Sequence, residues 1–160
     1  MRAIKGEATV NAQEIRLVKV FATEMEALKE YIEALYRYDE SYDAMVNIEE
    51  GVRGLLRNEN LATPYFIKMG EERIGYVILT RYHSVEKGGL TIYIDELYVE
   101  DRWRRHGVGR KILDQILEIA RAEGAKTLWA QTEPFNEPAQ RFFRAGGFQL
   151  NPYLNFERPL

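Results

Sequence analysis

The chain has no cysteine among its 160 residues, which excludes disulfides and thiolate metal sites. Histidine is nearly as scarce. His83 and His106 stand apart in the sequence, so no histidine-based metal centre is expected. No apolar run approaches the roughly 20 residues that span a bilayer, and the opening "MRAIKGEATV" lacks the long apolar stretch of a secretory signal. There is no surplus of positive charge either. Lys and Arg number 22 against 25 Asp and Glu, a formal charge of −3 that argues against general nucleic-acid binding. Repeats, low-complexity tracts and linkers are also missing. These absences suggest one cytoplasmic domain over 1–160 with no metal, membrane or nucleic-acid partner.

What is present is an ordinary globular balance. Hydrophobic residues at 46% and charged residues at 29% suffice, at this length, for a sizeable core. "EIRLVKVF" alternates as a first strand, and Thr23 with Glu26 reads as a capping box opening a helix with Met25, Leu28, Ile32 and Leu35 at helical spacing. Asn47 is the expected cap of a second helix through Ile48, Val52, Leu55 and Leu56. "PYFIKM" and "RIGYVILTRY" flank a hairpin turn, and "EKGG" leads into the strand "LTIYIDELYV". A helix follows, with Ile112, Leu113, Ile116, Leu117 and Ala120 as its stripe and Gly124 as its stop. "KTLWAQTE" reads as a strand, "NEPAQRFFRAG" as a short helix and "YLNFERPL" as a closing strand. The order β-α-α-β-β-β-α-β-α-β is a mixed α/β pattern around one sheet.

The segment "RWRRHGVGRKIL", 102–113, concentrates arginine and glycine where a strand gives way to a helix. A helix start carries unpaired N–H donors and partial positive charge. Glycines admit a phosphate to those donors, and Arg104 and Arg105 add charge-assisted contacts. The combination reads as a pocket for a diphosphate. A Walker loop would need Gly-Lys-Ser/Thr, whereas Arg110, Lys111 and Ile112 stand here. A dinucleotide fingerprint would need a third glycine where Ile112 lies.

"LYVEDRWRRHGVGRKIL" resembles the hallmark segment of the GNAT N-acetyltransferase superfamily, Arg/Gln-x-x-Gly-x-Gly/Ala, at Arg104, Gly107 and Gly109. "NEPAQRFFRAGGF" resembles that family's second signature at Asn136, Ala139, Phe142, Gly147 and Phe148. The resemblance covers roughly the C-terminal half. It implies a GNAT-like domain, a mostly antiparallel twisted sheet flanked by about four helices, with an acceptor-side half over about 1–90 and an acetyl-CoA half over about 91–160. Acetyl would pass directly from the thioester to an amine. Leu97, Tyr98 and Val99 would pair with pantetheine. Arg104, Arg105, His106, Gly107, Val108, Gly109 and Arg110 would hold the pyrophosphate. Asn136 would contact the pantetheine arm or order its loop.

An attacking amine must be neutral, yet at a pKa of about 10.4 only about one in a few thousand is so at pH 7. A base is therefore needed. Asp95 and Glu96 precede the pantetheine segment, where the family often keeps an acid facing the acceptor. Neighbouring strand residues point to opposite faces unless a bulge intervenes, so either carboxylate fits. Many family members follow the Phe142 position with a tyrosine that protonates the leaving thiolate. Here Phe143 cannot, and Tyr98, Tyr153 or water are the remaining donors.

The stretch "YRYDESYDAMVNIEEG", 36–51, interleaves acids with tyrosines. Family members line the acceptor cleft with this region, and Tyr38, Asp39, Tyr42 and Asp43 would attract a cation by charge and by ring contact. The segment from Thr91 to Glu137 is similar to diamine and thialysine acetyltransferases, and aminoglycoside acetyltransferases share the layout. The expected acceptor is a small cationic amine; a protein N-terminus or lysine is the alternative acceptor. Two other readings compete: an acyl-CoA-binding module without catalysis, and a nucleotide-binding regulator. Relatives often dimerise through sheet edges or the last strand, so a homodimer is a further expectation.

Overall fold

The computed structural model describes residues 14–159. Its elements run β1 (Ile15–Lys19), α1 (Met25–Tyr38), α2 (Ile48–Arg57), β2 (Ala62–Met69), β3 (Glu72–Ser84), β4 (Gly89–Val99), α3 (Val108–Ala122), β5 (Thr127–Ala130) and α4 (Glu137–Ala145), with short 3-10 turns at Ala22–Glu24, Tyr42–Asn47 and Asp101–Trp103. The strands form one sheet in the order β1-β2-β3-β4-β5. All neighbours are antiparallel except β4 and β5, which run parallel. The mixed α/β architecture with four α-helices agrees with the sequence.

Two apolar layers sandwich the sheet. On one face Ile67, Ile74, Val77, Leu79, Ile92 and Ile94 meet the α3 stripe of Ile112, Leu113 and Ile116. On the other, Phe66, Tyr76 and Ile78 meet Leu28 and Ile32 of α1 and Ile48 and Val52 of α2. The outer edge of β1 is closed by a side chain: the Gln115 amide donates to the Ile15 carbonyl at 2.8 Å and accepts from the Leu17 N–H at 2.9 Å. Gly124 ends α3 with φ +73°, and the Ala125 N–H closes back onto the Ala120 carbonyl, the six-to-one bond of a Schellman motif.

Three expectations need correction. The turn before α1 opens at Phe21, whose N–H is accepted by the Glu24 carboxylate at 3.2 Å, so Thr23 lies inside a 3-10 turn and Glu26 faces Lys29 instead. Arg73 also holds Glu24, at 2.6 Å, which explains why this acid and not Glu26 is drawn inward. Asn47 precedes α2 but makes no side-chain cap bond, because the 3-10 turn Tyr42–Asn47 runs directly into the helix and leaves Asn47 in helical geometry. "YLNFERPL" forms no strand over its described residues: 153–159 are exposed and irregular, and β5 has β4 alone as its sheet neighbour.

Candidate active site

Alternation along β4 changes parity midway. Ile92 and Ile94 face the α3 layer, but so do Leu97 and Val99. The register explains it: Ile78 pairs with Glu96 and Leu79 with Ile94, leaving Asp95 as an extra residue in a bulge. A one-residue insertion moves every later side chain to the opposite face. Glu96 and Tyr98 therefore point toward α1 and α2, and Asp95 is left exposed.

Glu96 is received there by two phenols. The Tyr36 hydroxyl, from α1, donates to Oε1 at 2.7 Å, and the Tyr76 hydroxyl, from β3, donates to Oε2 at 2.7 Å. Burial pushes the Glu96 carboxyl above its usual range, and the two hydroxyl bonds offset part of that rise by stabilising the anion. Burial near the carboxylate in turn drives Tyr76 and Tyr36 far above the ordinary phenol range, so both remain donors. Asp95 keeps solvent access, but partial desolvation by the surrounding protein also raises its carboxyl. Asp95 lines a cleft of about 410 Å³ with Tyr93, Gln131, Thr132, Glu133 and Pro134. A larger hollow, about 1260 Å³, lies along β5, α4 and the tail, and neither Glu96 nor the 104–109 loop lines it.

Beyond the bulge, β4 loses one neighbour. Its ladder to β5 stops at Ile94 and Ala130, while the ladder to β3 continues to Val99. Leu97, Tyr98 and Val99 thus lie where the two parallel strands have parted. The 3-10 turn Asp101–Trp103 leads from there to the start of α3. Gly107 occupies the cap position at φ +78°, with no side-chain cap bond, and the first turn of the helix holds no acidic residue. The first backbone bond into this helix is from the Lys111 N–H to the Gly107 carbonyl, so the Val108, Gly109 and Arg110 N–H groups find no acceptor among the described residues. Three free donors with an uncompensated positive end suit an anion. Gly109 serves packing: a Cβ there would lie 2.9 Å from the Phe142 ring.

The other sequence candidates divide. Arg105, His106 and Arg110 are exposed around the helix start. Arg104 turns back: its Nε donates to the Val99 carbonyl at 2.7 Å and its guanidinium lies 4.2 Å over the Tyr38 ring. Asn136 caps α4, its Oδ1 accepting the Ala139 N–H at 3.2 Å. Phe143 is in contact with Phe142 and Phe148 and packs on the α3 layer. Tyr38, Asp39, Tyr42 and Asp43 are exposed at the end of α1 and in the turn that follows. Partial desolvation and the neighbouring Glu133 charge raise the Asp39 carboxyl despite its exposure, and Arg104 partly opposes this. Glu49 is neutralised by Lys29 and Arg53. Sequence reasoning did not single out Tyr76 or Glu133 for the site, and it placed Tyr36 only among the tyrosines of the acidic 36–51 stretch; Tyr76 lies mid-strand with no motif to mark it. Tyr153 is exposed in the tail, beside the larger hollow.

The chain matches the family described as Acetyltransferase (GNAT) family over residues 22–148, and it belongs to that family. It is 30% identical over 76 residues to the thialysine N-epsilon-acetyltransferase of Bos taurus, a match covering 48% of this chain and 44% of that protein. The chain thus spans less than half the length of this curated relative. A possible acetyltransferase from Clostridium difficile 630 superposes with a TM-score of 0.80 at 18% identity, covering 91% of this chain and 97% of that one. An aminoglycoside acetyltransferase in complex with a bisubstrate analogue of CoA and acetylneamine superposes with a TM-score of 0.71 at 16% identity, covering 92% and 99%. At such identities the likeness concerns the fold. No described helix is long and apolar enough to cross a membrane.

Proposed function

We propose that the chain is an acetyl-CoA-dependent N-acetyltransferase acting on a primary amine of a small cationic molecule in the cytoplasm. The observation that carries this reading is the bulge at Asp95, which turns Glu96 onto the α1/α2 face beside a β4 edge that β5 has left. Acetyl-CoA supplies an activated acetyl thioester when bound. The parted edge at Leu97, Tyr98 and Val99 pairs with the pantetheine arm as an added strand. The free N–H groups of Val108, Gly109 and Arg110, with Arg105 and His106, take the pyrophosphate. Residues from about 91 onward form this cofactor half and those before it the acceptor half of a single domain.

Glu96 is the base. Its raised proton affinity suits removal of a proton from an ammonium at neutral pH better than an ordinary carboxylate would. Glu96 takes one proton from the ammonium and releases it to solvent. The neutral nitrogen then attacks the thioester carbonyl, a C–N bond forms as C–S breaks with the thiolate leaving, and the second proton of the nitrogen goes to Glu96. With no cysteine in the chain, a thiol acyl-enzyme is not available. Phe143 donates nothing at the position where many relatives place a tyrosine, so the thiol group leaves as the thiolate and packing at Phe143 only shields it. Asn136 orders the turn into α4. Asp95, Asp39, Asp43 and Glu133 give the mouth a negative field that Tyr38 and Tyr42 border, which favours a polycation.

The test is release of CoA thiol from acetyl-CoA across spermidine, thialysine, several aminoglycosides and N-terminal peptides. Selective turnover of a polycation supports the proposal. Tight acetyl-CoA binding with no turnover supports the second reading, a non-catalytic acyl-CoA module, which the missing hydroxyl at Phe143 favours. Homodimerisation is part of the proposal. Leu150, Leu154 and Phe156 are more than four-fifths exposed and alternate with polar residues in a tail beside the open edge of β5, and a second copy would cover both. Sedimentation equilibrium checks the stoichiometry.

A further inference from the structure

The end of α1 and the 104–109 loop meet at Arg104. The guanidinium of Arg104 lies 4.2 Å from the ring centre of Tyr38, the last residue of α1, and 5.4 Å from that of Tyr98. Two of its nitrogens are engaged locally, Nε with the Val99 carbonyl at 2.7 Å and Nη1 with Asp101 at 2.8 Å, while Nη2 has no hydrogen-bond or ion-pair partner among the described residues. A side chain stacked on one face and bonded along its edge has little freedom left to reach an anion at the start of α3. Arg105, next in the chain, has no hydrogen-bond or ion-pair partner among the described residues and is exposed.

Strain brackets the same contact. Among the described residues, only Glu40 (φ 57°) and Arg105 (φ 62°) are non-glycine residues with positive φ. One lies two residues after Tyr38 and the other directly after Arg104. Such backbone persists where the surroundings over-determine it. Glu40 ends α1 in a Schellman turn, with the Ser41 N–H bonded to the Tyr36 carbonyl at 2.8 Å. Tyr36 in that same turn donates to Glu96. The last turn of α1 is therefore attached at once to the carboxylate and to the loop.

We infer that Arg104 is a positioning residue, a latch that fixes the last turn of α1 to the 104–109 loop, and not a ligand of phosphate. Seating of the loop then sets the amine-facing wall through Tyr38 and the orientation of Glu96 through Tyr36. The roles of wall and loop rest on the function proposed above, while the latch itself is a property of the chain alone.

Amide hydrogen exchange at Asp39, Glu40 and Ser41 in the full chain tests it, with CoA affinity measured by calorimetry. Tyr38→Leu, Arg104→Gln and the double variant should each speed exchange by the same roughly three- to thirtyfold, the range of a ring–cation contact. Tyr38→Phe, which keeps the ring, should stay within about twofold of the parent. CoA affinity of Arg104→Gln should stay within about threefold, since no phosphate contact is lost. For an amine that turns over, KM should rise in Tyr38→Leu, and kcat should fall in Tyr38→Leu and Arg104→Gln alike, because the loosened turn also carries Tyr36 and with it the orientation of Glu96. Multiplying effects in the double variant, or a CoA affinity reduced more than about tenfold by Arg104→Gln with exchange unchanged, overturns the latch. Should Arg104→Gln fail to fold, Arg104→Lys, which keeps the charge and loses the flat face, makes the same comparison. A parent chain that does not bind CoA refutes the proposed function, and the exchange data still decide the latch.

Discussion

The two faces of the sheet are built from different chemistry. Toward α3 the strands present Ile67, Ile74, Val77, Leu79, Ile92 and Ile94, an aliphatic layer whose work is packing. Toward α1 and α2 they present Phe66, Tyr76 and Ile78, joined by Tyr31, Tyr36 and Tyr98. The rings of Tyr31, Tyr76 and Tyr98 lie 6.4 Å apart in each pairing. Part of the difference follows from one carboxylate, Glu96, which receives the Tyr36 and Tyr76 hydroxyls, while the Tyr31 hydroxyl goes to the Arg73 carbonyl and Glu100. A buried anion needs donors, and tyrosine brings a donor on a side chain that otherwise packs as an apolar ring. The aliphatic face holds the fold; the aromatic face holds it and also orients Glu96.

Four substitutions break or sharpen this contrast. The largest effect is expected from Gly75→Ala, because a Cβ there would lie 2.1 Å from the Tyr98 carbonyl, which is backbone and cannot swing away. Both faces lose register together, and thermal unfolding should report a loss of about 3 kcal/mol or more. Leu113→Ala addresses the aliphatic face alone. It should remove about 3 kcal/mol of stability in denaturant titration and leave the pH profile of turnover in place.

Glu96→Gln addresses the aromatic face with the opposite signature. Acetyl transfer should fall at least about a hundredfold, as for loss of a general base, with acetyl-CoA affinity retained. Stability should not fall with it. The folded carboxyl binds its proton more tightly than in the unfolded chain, so between the ordinary carboxylate pKa and the raised folded value the native state holds more protons. Stability of the parent therefore declines as pH rises through that window, and Gln removes the decline. Denaturant midpoints across pH for the two proteins measure it. Tyr76→Phe has the smallest effect: about 1 kcal/mol of stability, and an acid limb of the rate profile moved to higher pH. The sign follows because the hydroxyl stabilises the charged form, so its loss raises the Glu96 pKa further. An acid limb moved to lower pH would show that the hydroxyl does not support the anion.

Much of this was legible along the chain. The α3 stripe, its Gly124 stop and the glycine-rich entry are local patterns, each set by residues within a few positions of one another. The arginine at 104 was legible as a motif member, but its side-chain direction was not, since Tyr38 reaches it only through packing of α1 on the sheet. The closing strand misled for a related reason. "YLNFERPL" alternates as strands do, yet a strand exists only with a partner, and alternation does not supply one. The capping box was displaced because Arg73, 49 residues away, selected Glu24.

The choice between Asp95 and Glu96 shows where the division falls. The residue types, the two glycines and the period of each helix belong to the sequence by itself, because they act through bonds and contacts spanning a turn or less. Which carboxylate meets Tyr36 and Tyr76 was decided by the tertiary structure. It depends on whether β4 inserts one residue against β3, and that register is settled by burial of Ile94 and Leu97 on the same aliphatic face.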